Sequence, residues 1–290
     1  MLQNRSRFGE YLRARRAVVQ PEDVGLARDP SRRVTGLRRE EVARLAGISA
    51  EYYLRLEQGR ARQPSHQVLS SLAEALRLDA DAVVYLRRLA RHLEEVSKRG
   101  PVAAPDTATM SFVRHSRNVG VLLIDMNLDV VSMNSVASAL FPGLVGEGRN
   151  VLLELSRSAG RPAKRRDRVI AHLLPVLRFI SNPHDARLQE IVGALSVSSP
   201  AFSALWARHD VRQPGRFPAS VVVDVLGTVP LECQMMFLPT GDHAIVTIAG
   251  ADDAAGRAAM AYLQTIGDER ARRTSTPTEA SAFTGASAST

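Results

Sequence analysis

The stretch RLAGISAEYYLRLEQGR, residues 44–60, holds two helical patterns that meet at Gly47. Glycine accepts the positive φ angle at which a helix can stop sharply. Ser49 follows at the position where a side chain caps a helix by accepting a hydrogen bond from a backbone N–H one turn further on. With the pattern RREEVARLA before it, the stretch predicts a helix-turn-helix over residues 39–59. Its expected inner face consists of apolar side chains at helical spacing: Val42, Leu45, Ala46, Ile48, Tyr53 and Leu56.

The outer face of the second predicted helix carries side chains that can contact base edges: Ala50, Glu51, Leu54, Arg55 and Gln58. An arginine binds guanine O6 and N7 bidentately, a glutamate accepts from cytosine N4, and an alanine methyl contacts a thymine methyl. The same stripe of glutamate and arginine is typical of a solvated helix face with an i,i+4 ion pair. The spacing alone leaves both interpretations open.

The charge distribution favours the DNA interpretation. The net charge of the 290 residues is +8, and residues 1–100 hold 20 Lys and Arg against 13 Asp and Glu, which is +7. A basic domain is the electrostatic footprint expected of a nucleic-acid binder. We therefore expect Arg39, Arg60 and Arg62, just outside the two-helix unit, to neutralise phosphates and fix its register on DNA.

Composition and periodicity divide the chain into two domains. Residues 1–97 are predicted to form about five helices with no strand between them. Residues 98–110, with two prolines and small side chains, are predicted to be a linker. Residues 111–267 mix β-rich runs with helical patterns, and residues 268–290 are predicted to be a disordered tail. The predicted fold class is an all-α helix-turn-helix domain followed by an α+β domain.

The second domain lacks the residue patterns that mark an enzyme. Arg208, His209 and Asp210 are adjacent and cannot form a relay, and no lysine follows the glycines of GLVGEG (143–148). The seven histidines show no metal-ligand spacing, and Cys233 is the single cysteine. We expect no enzymatic activity, no metal site and no cofactor. An enzyme that uses a DNA-binding domain for targeting is the alternative, and a clustered catalytic set would favour it.

The N-terminal sequence MLQNRSRFGEYLRARR lacks the apolar core of a signal peptide. No apolar run approaches the roughly 18–20 residues that a membrane helix needs. The expectation is therefore a cytoplasmic, nucleoid-associated protein that does not contact a membrane.

The first domain resembles the xenobiotic-response-element (Cro/cI-like) family of helix-turn-helix regulators, whose domain is lambda-repressor-like. The resemblance rests on Gly47-Ile48-Ser49, on the ending Glu57-Gln58-Gly59 and on the Pro64-Ser65 start of the following helix. The basic loop RDPSRRVTG (28–36) is an insertion relative to the minimal family domain. The resemblance implies a structural role for Glu57. It implies base contacts by Ala50, Glu51 and Arg55, and backbone-facing positions for Arg39, Ser49, Tyr52, Arg60 and Arg62.

The second domain resembles the MmyB-like ligand-binding domain. LIDMNLDVVSMNSVASALF resembles the opening of a PAS-like fold, in which Asn134 starts the helix after two strands. SPAFSALWARHDV resembles the Trp-x-x-His-x-Val segment of MmyB-like domains. The implied ligand is a small apolar molecule such as a fatty acid, with Arg208 and His209 at its polar head. The other residues expected at the ligand site are Leu122, Asn134, Leu177, Trp206, Met235 and Phe237, and for each a place in the core is the competing interpretation.

Together these patterns predict a bacterial-type transcriptional regulator. Its first domain is expected to bind double-stranded DNA, and its second to sense a small apolar ligand and to form a homodimer. The alternative is an antitoxin-like or other protein-interaction module, whose second domain grips a protein partner instead of a ligand.

Overall fold

The computed structural model describes residues 7–27, 32, 34–61, 63–91, 104–146, 148–157, 163–182, 185–223 and 225–275. They form two compact units that each combine separate parts of the chain. The first unit holds the described residues of Met1–Ala103 and Leu155–Pro214, and the second those of Ala104–Glu154 and Gly215–Thr290. The two units are groups of residues that lie close together in space, whereas the predicted boundaries at 97, 110 and 267 are changes of composition along the chain. The middle of the predicted second domain packs with the first hundred residues.

The described part of the first hundred residues forms five α-helices, in agreement with the predicted all-α domain. Side-chain caps start three of them, where Ser49, Ser65 and Asp79 each accept from a backbone N–H one turn on. A short 3-10 turn at Pro21–Val24 follows the first helix. The helices are α1 (Arg7–Val18), α2 (Arg39–Leu45), α3 (Ala50–Glu57), α4 (His66–Ala75) and α5 (Ala80–Arg91).

Most of the side chains that helical periodicity predicted for the inner face of the helix-turn-helix are buried. Gly47 takes a φ of 65° between α2 and α3, as expected at the sharp turn. Val42, Ala46, Tyr53 and Leu56 are buried, and Ile48 is half-buried. The prediction was wrong for Leu45, which is 38 % exposed. The buried face of α2 is set by residues 42, 43 and 46, and Leu45 lies roughly 100° around the helix from its centre.

The rest of the chain adds seven further helices in the described residues. One of them, at 151–157, was not predicted; Asn150 caps it, since its Oδ1 accepts from the backbone N–H of Leu152 and Leu153. The helix at 107–115 begins inside the predicted linker 98–110, of which residues 98–103 lie outside the described residues. The seven are α6 (Thr107–His115), α7 (Ser135–Leu140), α8 (Val151–Arg157), α9 (Ala163–Ile180), α10 (Ala186–Ser198), α11 (Pro200–Ala207) and α12 (Ala254–Ser275).

The second unit contains an antiparallel five-stranded sheet with the order β2-β1-β5-β4-β3. With the surrounding helices it makes this part of the chain α+β, as predicted. The strands are β1 (Gly120–Asp125), β2 (Val130–Met133), β3 (Arg216–Val223), β4 (Gly227–Phe237) and β5 (His243–Gly250).

Different helices cover the two faces of the sheet. One face is buried along its width, and α7 and α12 pack against its strands. On the other face Val113 of α6 packs on Val121, Leu123 and Ile245 of the central strands. The alternation of buried and exposed residues along β4 matches the period of two expected of a strand with one buried face.

Residues 268–275, predicted as the start of a disordered tail, belong to α12, which continues to Ser275. Asp268 lies within the helix, where it accepts a hydrogen bond from Gln264 and pairs with Arg117 at 2.8 Å. A methyl group on Gly267 would lie 2.0 Å from the carbonyl oxygen of Ser135, so α12 crosses α7 in close contact there. These contacts stabilise the end of α12, although its Arg, Ser and Thr content suggested a disordered tail. Residues 276–290 lie outside the described residues.

Candidate functional site

Helix α3 presents the predicted base-contacting side chains to solvent. Ala50, Glu51 and Arg55 are exposed, and Tyr52 is half-buried. The Oγ of Ser49 accepts from the N–H of Tyr52 at 3.1 Å, so this hydroxyl is engaged as a helix cap. The competing interpretation required an ion pair between Glu51 and Arg55. Neither residue forms an ion pair with any other residue that the structure describes.

Glu57 fixes α3 to the two helices that precede it. Its carboxylate accepts from Nε of Arg16 and from Nε of Arg39, both at 2.7 Å, and its side chain is 1 % exposed. Arg16 belongs to α1 and Arg39 to α2. The structural role that the family resemblance implied for Glu57 is therefore a bond among three helices. Arg39, expected at the DNA backbone, shares its charge with Glu57 and remains half-exposed.

Helix α1 crosses the end of α3 in backbone contact. A methyl group on Gly9 would lie 2.2 Å from the carbonyl oxygen of Glu57. Only glycine allows this approach, and Arg16 bonds the carboxylate of the same Glu57 from the following turns of α1. The position of α3 therefore depends directly on the position of α1.

Of the arginines predicted to contact phosphates after α3, the structure describes Arg60. Arg60 is exposed just after the glycine that ends the helix, and Gly59 has a φ of 69°. Arg62 lies outside the described residues. In the inserted basic loop, Arg32 turns inward and bonds both oxygens of Glu41, at 2.6 and 2.8 Å. This bond lowers the pKa of Glu41 below its usual range.

Four of the predicted ligand residues lie in the second unit. Three of them are on strands of the sheet, and the fourth, Asn134, is the N-cap of α7. Leu122 and Met235 both pair with Val246 of β5, so they lie on one face of the sheet, and both are buried. Phe237 is on the same face as Met235 and is 45 % exposed. Asn134 is buried with its amide fully engaged, since it accepts from two backbone N–H groups and donates to two carbonyls. It caps α7, as predicted.

In the first unit, Trp206 and His209 come together around a cation that sequence reasoning missed. Arg178 of α9 stacks over the Trp206 ring at 3.8 Å and also donates to the Trp206 carbonyl oxygen. Its Nη1 lies 3.1 Å from Nδ1 of His209. Burial lowers the pKa of Arg178 to about 10, so it stays charged at neutral pH. Burial and then the charge of Arg178 lower the pKa of His209 to about 4, which leaves the imidazole neutral and able to accept.

Leu177, which precedes Arg178, is fully buried. Arg208, predicted at the polar head of a ligand, is exposed and pairs with Asp210 at 2.9 Å. The stretch HLLPVLRFI (172–180) could have identified Arg178 from the sequence. It has helical spacing, and a single arginine interrupts its run of apolar residues. Within the described residues no carboxylate pairs with Arg178.

The described residues contain no group of three or more His, Cys, Asp or Glu side chains that could hold a metal ion. None of the helices described is both long and apolar enough to span a bilayer.

Two family models match the chain. Residues 105–263 match the MmyB-like transcription regulator ligand binding domain, and residues 7–86 match a helix-turn-helix domain. No curated protein matches the chain. The second match contains the whole of α1–α4 and most of α5. The first contains α6–α11, all five strands and part of α12.

Proposed function

Because the chain belongs to the MmyB-like transcription regulators, with a helix-turn-helix domain before the ligand-binding domain, we propose that α3 reads a specific DNA sequence and that the ligand is a small fatty-acid-like molecule. The general function, a ligand-sensing transcription regulator, follows from the two domains. The base contacts, the nature of the ligand and a homodimeric state are the parts that we propose. Such a regulator would work at the nucleoid, in the cytoplasm.

The observation that carries the DNA proposal is the exposed face of α3 on a rigid support. Ala50, Glu51 and Arg55 have no competing partner in the described residues, and a small residue at 50 allows close approach to a groove. The bonds from Glu57 to α1 and α2 hold that face in one orientation. A base-reading side chain gives sequence preference only if its helix is held in this way.

The test is unbiased selection of DNA sites with the wild type and with Arg55→Ala. Loss of a bidentate contact should cost about 1–3 kcal/mol of binding at the preferred site and relax the preference at one base position. Arg114→Ala is the matched control, because it removes one exposed arginine from α6 and should leave the selected sequence unchanged. An unchanged preference in Arg55→Ala would remove Arg55 from base reading.

Phosphate contacts have a different signature in the same assay. Arg60→Ala should weaken binding to all sequences alike and reduce the slope of log K against log salt by about one unit. A selective loss at one base position would instead give Arg60 a base-reading role.

The ligand proposal rests on the half-buried charge of Arg178. A guanidinium presents paired N–H donors that match a carboxylate, and a buried cation gains from a counter-charge. The aromatic face of Trp206 and the neutral His209 surround the guanidinium. These groups are suited to the carboxylate of a fatty acid, while the exposed Arg208 already has Asp210 as its partner.

Native mass spectrometry and thermal shift with palmitate test this proposal. The wild type should bind and be stabilised, Arg178→Gln should lose both effects, and Arg208→Gln should keep them. Absence of binding by the wild type in both measurements would eliminate a fatty-acid ligand and leave the DNA proposal untouched.

A homodimer would place two copies of α3 on half-sites about one helical turn, ~34 Å, apart. Sedimentation of the protein with its selected DNA should give two chains per site. A single chain on a site without twofold symmetry would contradict this part of the proposal.

A further inference from the structure

One stripe of α1 faces away from α3 and towards a segment from the middle of the chain. Arg7, Tyr11 and Arg15 are spaced four residues apart and therefore share a face of the helix. Arg15 pairs with Asp210 at 2.8 Å, and Arg7 donates to the side chain of Asn182. These partners follow α11 and α9, within the match to the ligand-binding domain.

A stripe of α5 continues the same contact surface. The ring of Tyr11 meets that of Tyr85 edge-on, with centroids 5.1 Å apart, and Tyr85 lies 5.9 Å from the ring of Phe179. The guanidinium of Arg88 lies 5.0 Å from the centroid of the same Phe179. Gln213 donates to Asp81 at 3.0 Å at the start of α5. The segment 163–213 thus contacts two of the five DNA-domain helices through aromatic, ionic and polar groups.

The remaining faces of α1 hold the recognition helix. Gly9 permits backbone contact with Glu57, and Arg16 bonds the Glu57 carboxylate at 2.7 Å. Arg15 and Arg16 are adjacent, so they point in directions about 100° apart around the helix. One carries the contact to Asp210 and the other the contact to α3.

We propose that α1 is a coupling helix that transmits the state of the ligand-binding segment 163–213 to the recognition helix α3. The inference rests on the proposed function, because it names how that function is regulated. Asp210 directly follows His209, and His209 contacts Arg178, so a ligand that moves Arg178 and His209 also moves the partner of Arg15. Such a ligand must have different affinities for the two arrangements of the segment.

The Arg15–Asp210 bond is the part of this path that can open at low cost. The Asp210 carboxylate shares its charge between Arg15 and Arg208 and is the exposed partner, at 33 % against 15 % for Arg15, whereas the Glu57 side chain is almost completely buried. Partly exposed ion pairs are individually weak, so one ligand contact can outweigh such a bond. The bond to Glu57 then stays closed while α1 moves, and α3 follows α1.

Hydrogen exchange measured by mass spectrometry on the full chain, without DNA or ligand, tests the coupling. Asp210→Asn should raise the exchange rate in α1 by roughly two- to five-fold, the change expected for loss of one partly exposed ion pair. The same variant should also raise exchange in α3, although Asp210 does not contact α3. Arg15→Gln should also raise exchange in both helices, and the double variant should add nothing beyond Asp210→Asn, because that variant has already lost the Arg15–Asp210 bond.

Asp268→Asn is the matched control. Its ion pair with Arg117 has the same length, 2.8 Å, and the Asp268 side chain is 37 % exposed, but it lies in the second unit. This variant should leave exchange in α1 and α3 unchanged. Faster exchange in α1 with unchanged exchange in α3 would overturn the coupling, and so would unchanged exchange in both helices.

The two proposals fail in different measurements. If DNA selection returned no preferred site but Asp210→Asn accelerated exchange in α1 and α3, the DNA-reading function would fall and the coupling would stand. If a preferred site were found and exchange in α3 did not respond, the coupling alone would be wrong.

Discussion

Two carboxylates in the first unit each hold a pair of arginines, and each uses one of two neighbouring residues of α1. Glu57 binds Arg16 and Arg39, and its side chain is 1 % exposed. Asp210 binds Arg15 and Arg208, and its side chain is 33 % exposed. The bond lengths are nearly the same, between 2.7 and 2.9 Å. Arg15 and Arg16 are each 15 % exposed, so the clusters differ in the solvent access of their carboxylates and not in bond length.

Solvent access decides what each cluster can do. A buried ion pair is costly to break from one side, because the remaining charges stay out of water without a partner. A partly exposed pair is replaced by water at little cost. The Glu57 cluster is thus suited to holding the recognition helix permanently, and the Asp210 cluster to a contact that forms and breaks.

The largest expected effect comes from removing the buried charge. Glu57→Gln leaves Arg16 and Arg39 without their carboxylate and should lower the free energy of unfolding by about 3–5 kcal/mol. Urea unfolding followed by circular dichroism measures this loss. The exposed pair of Glu190 with Arg187 provides the control, and Glu190→Gln should change stability by less than about 0.5 kcal/mol. Equal losses in the two variants would show that burial does not distinguish them.

The backbone contact beneath Glu57 gives the next effect. Gly9→Ala places a methyl group 2.2 Å from the Glu57 carbonyl oxygen, so α1 must move away from α3. Overpacking of this kind costs about 1–3 kcal/mol. Gly193→Ala is the control on α10, where an added methyl group meets no atom within 4 Å, and it should be neutral or slightly stabilising. A neutral Gly9→Ala would mean that α1 and α3 are not in close contact.

The free energy of unfolding should depend on pH through His209, the residue that precedes Asp210. The pKa of His209 is lowered to about 4 in the folded protein from an ordinary value of 6.5, by burial and by Arg178 and Arg15, against the opposing charge of Asp210. The unfolded chain therefore binds more protons between these values. The contribution to stability is complete above about pH 6.5 and is lost as the pH falls towards 4, by about 1–2 kcal/mol after allowance for screening.

His209→Asn isolates this contribution from the carboxyl groups that titrate in the same range. Asparagine tolerates the positive φ of 54° at this position better than most residues. The stability of the variant should fall less steeply than that of the wild type between pH 6.5 and 4. Parallel curves would exclude a lowered pKa for His209.

The smallest effect is expected from the exposed cluster itself. Asp210→Asn should lower the free energy of unfolding by only about 0.2–1 kcal/mol, the range for partly exposed pairs. Asp268→Asn should cause no larger loss, because its partner Arg117 is 62 % exposed whereas Arg15 is 15 % exposed. A loss in Asp210→Asn as large as that in Glu57→Gln would make the Asp210 contact a permanent one and contradict its proposed release.

The helix-turn-helix could be predicted closely because its signals are local. Gly47 and Ser49 define the turn and the cap, and the 3.6-residue period identifies the buried Tyr53 and Leu56. The error at Leu45 arose because a short helix shows too few turns to define the centre of its buried face. The end of α12 was missed because its stability comes from contacts with α7 and Arg117 and not from its composition.

The ligand residues show the limit of pattern reasoning more clearly. The sequence pattern placed Arg208 beside Trp206 and His209, whereas in the structure the cation that contacts both residues is Arg178, 31 positions before His209. Adjacency in sequence favoured Arg208, whereas the packing of α9 against α11 brings Arg178 to the tryptophan ring. A partner that is distant in the sequence cannot be identified from local patterns.

By itself, the sequence determined most of the helices and strands and the exposed face of α3, since capping, glycine conformation and periodic burial act between residues a few positions apart. Only the tertiary structure decided that the segment 163–213 packs on α1 and α5. Arg15 and Asp210 are 195 positions apart, and their contact depends on the combined packing of α1, α5, α9 and α11. No local pattern encodes this contact, because it depends on four helices that are far apart in the sequence.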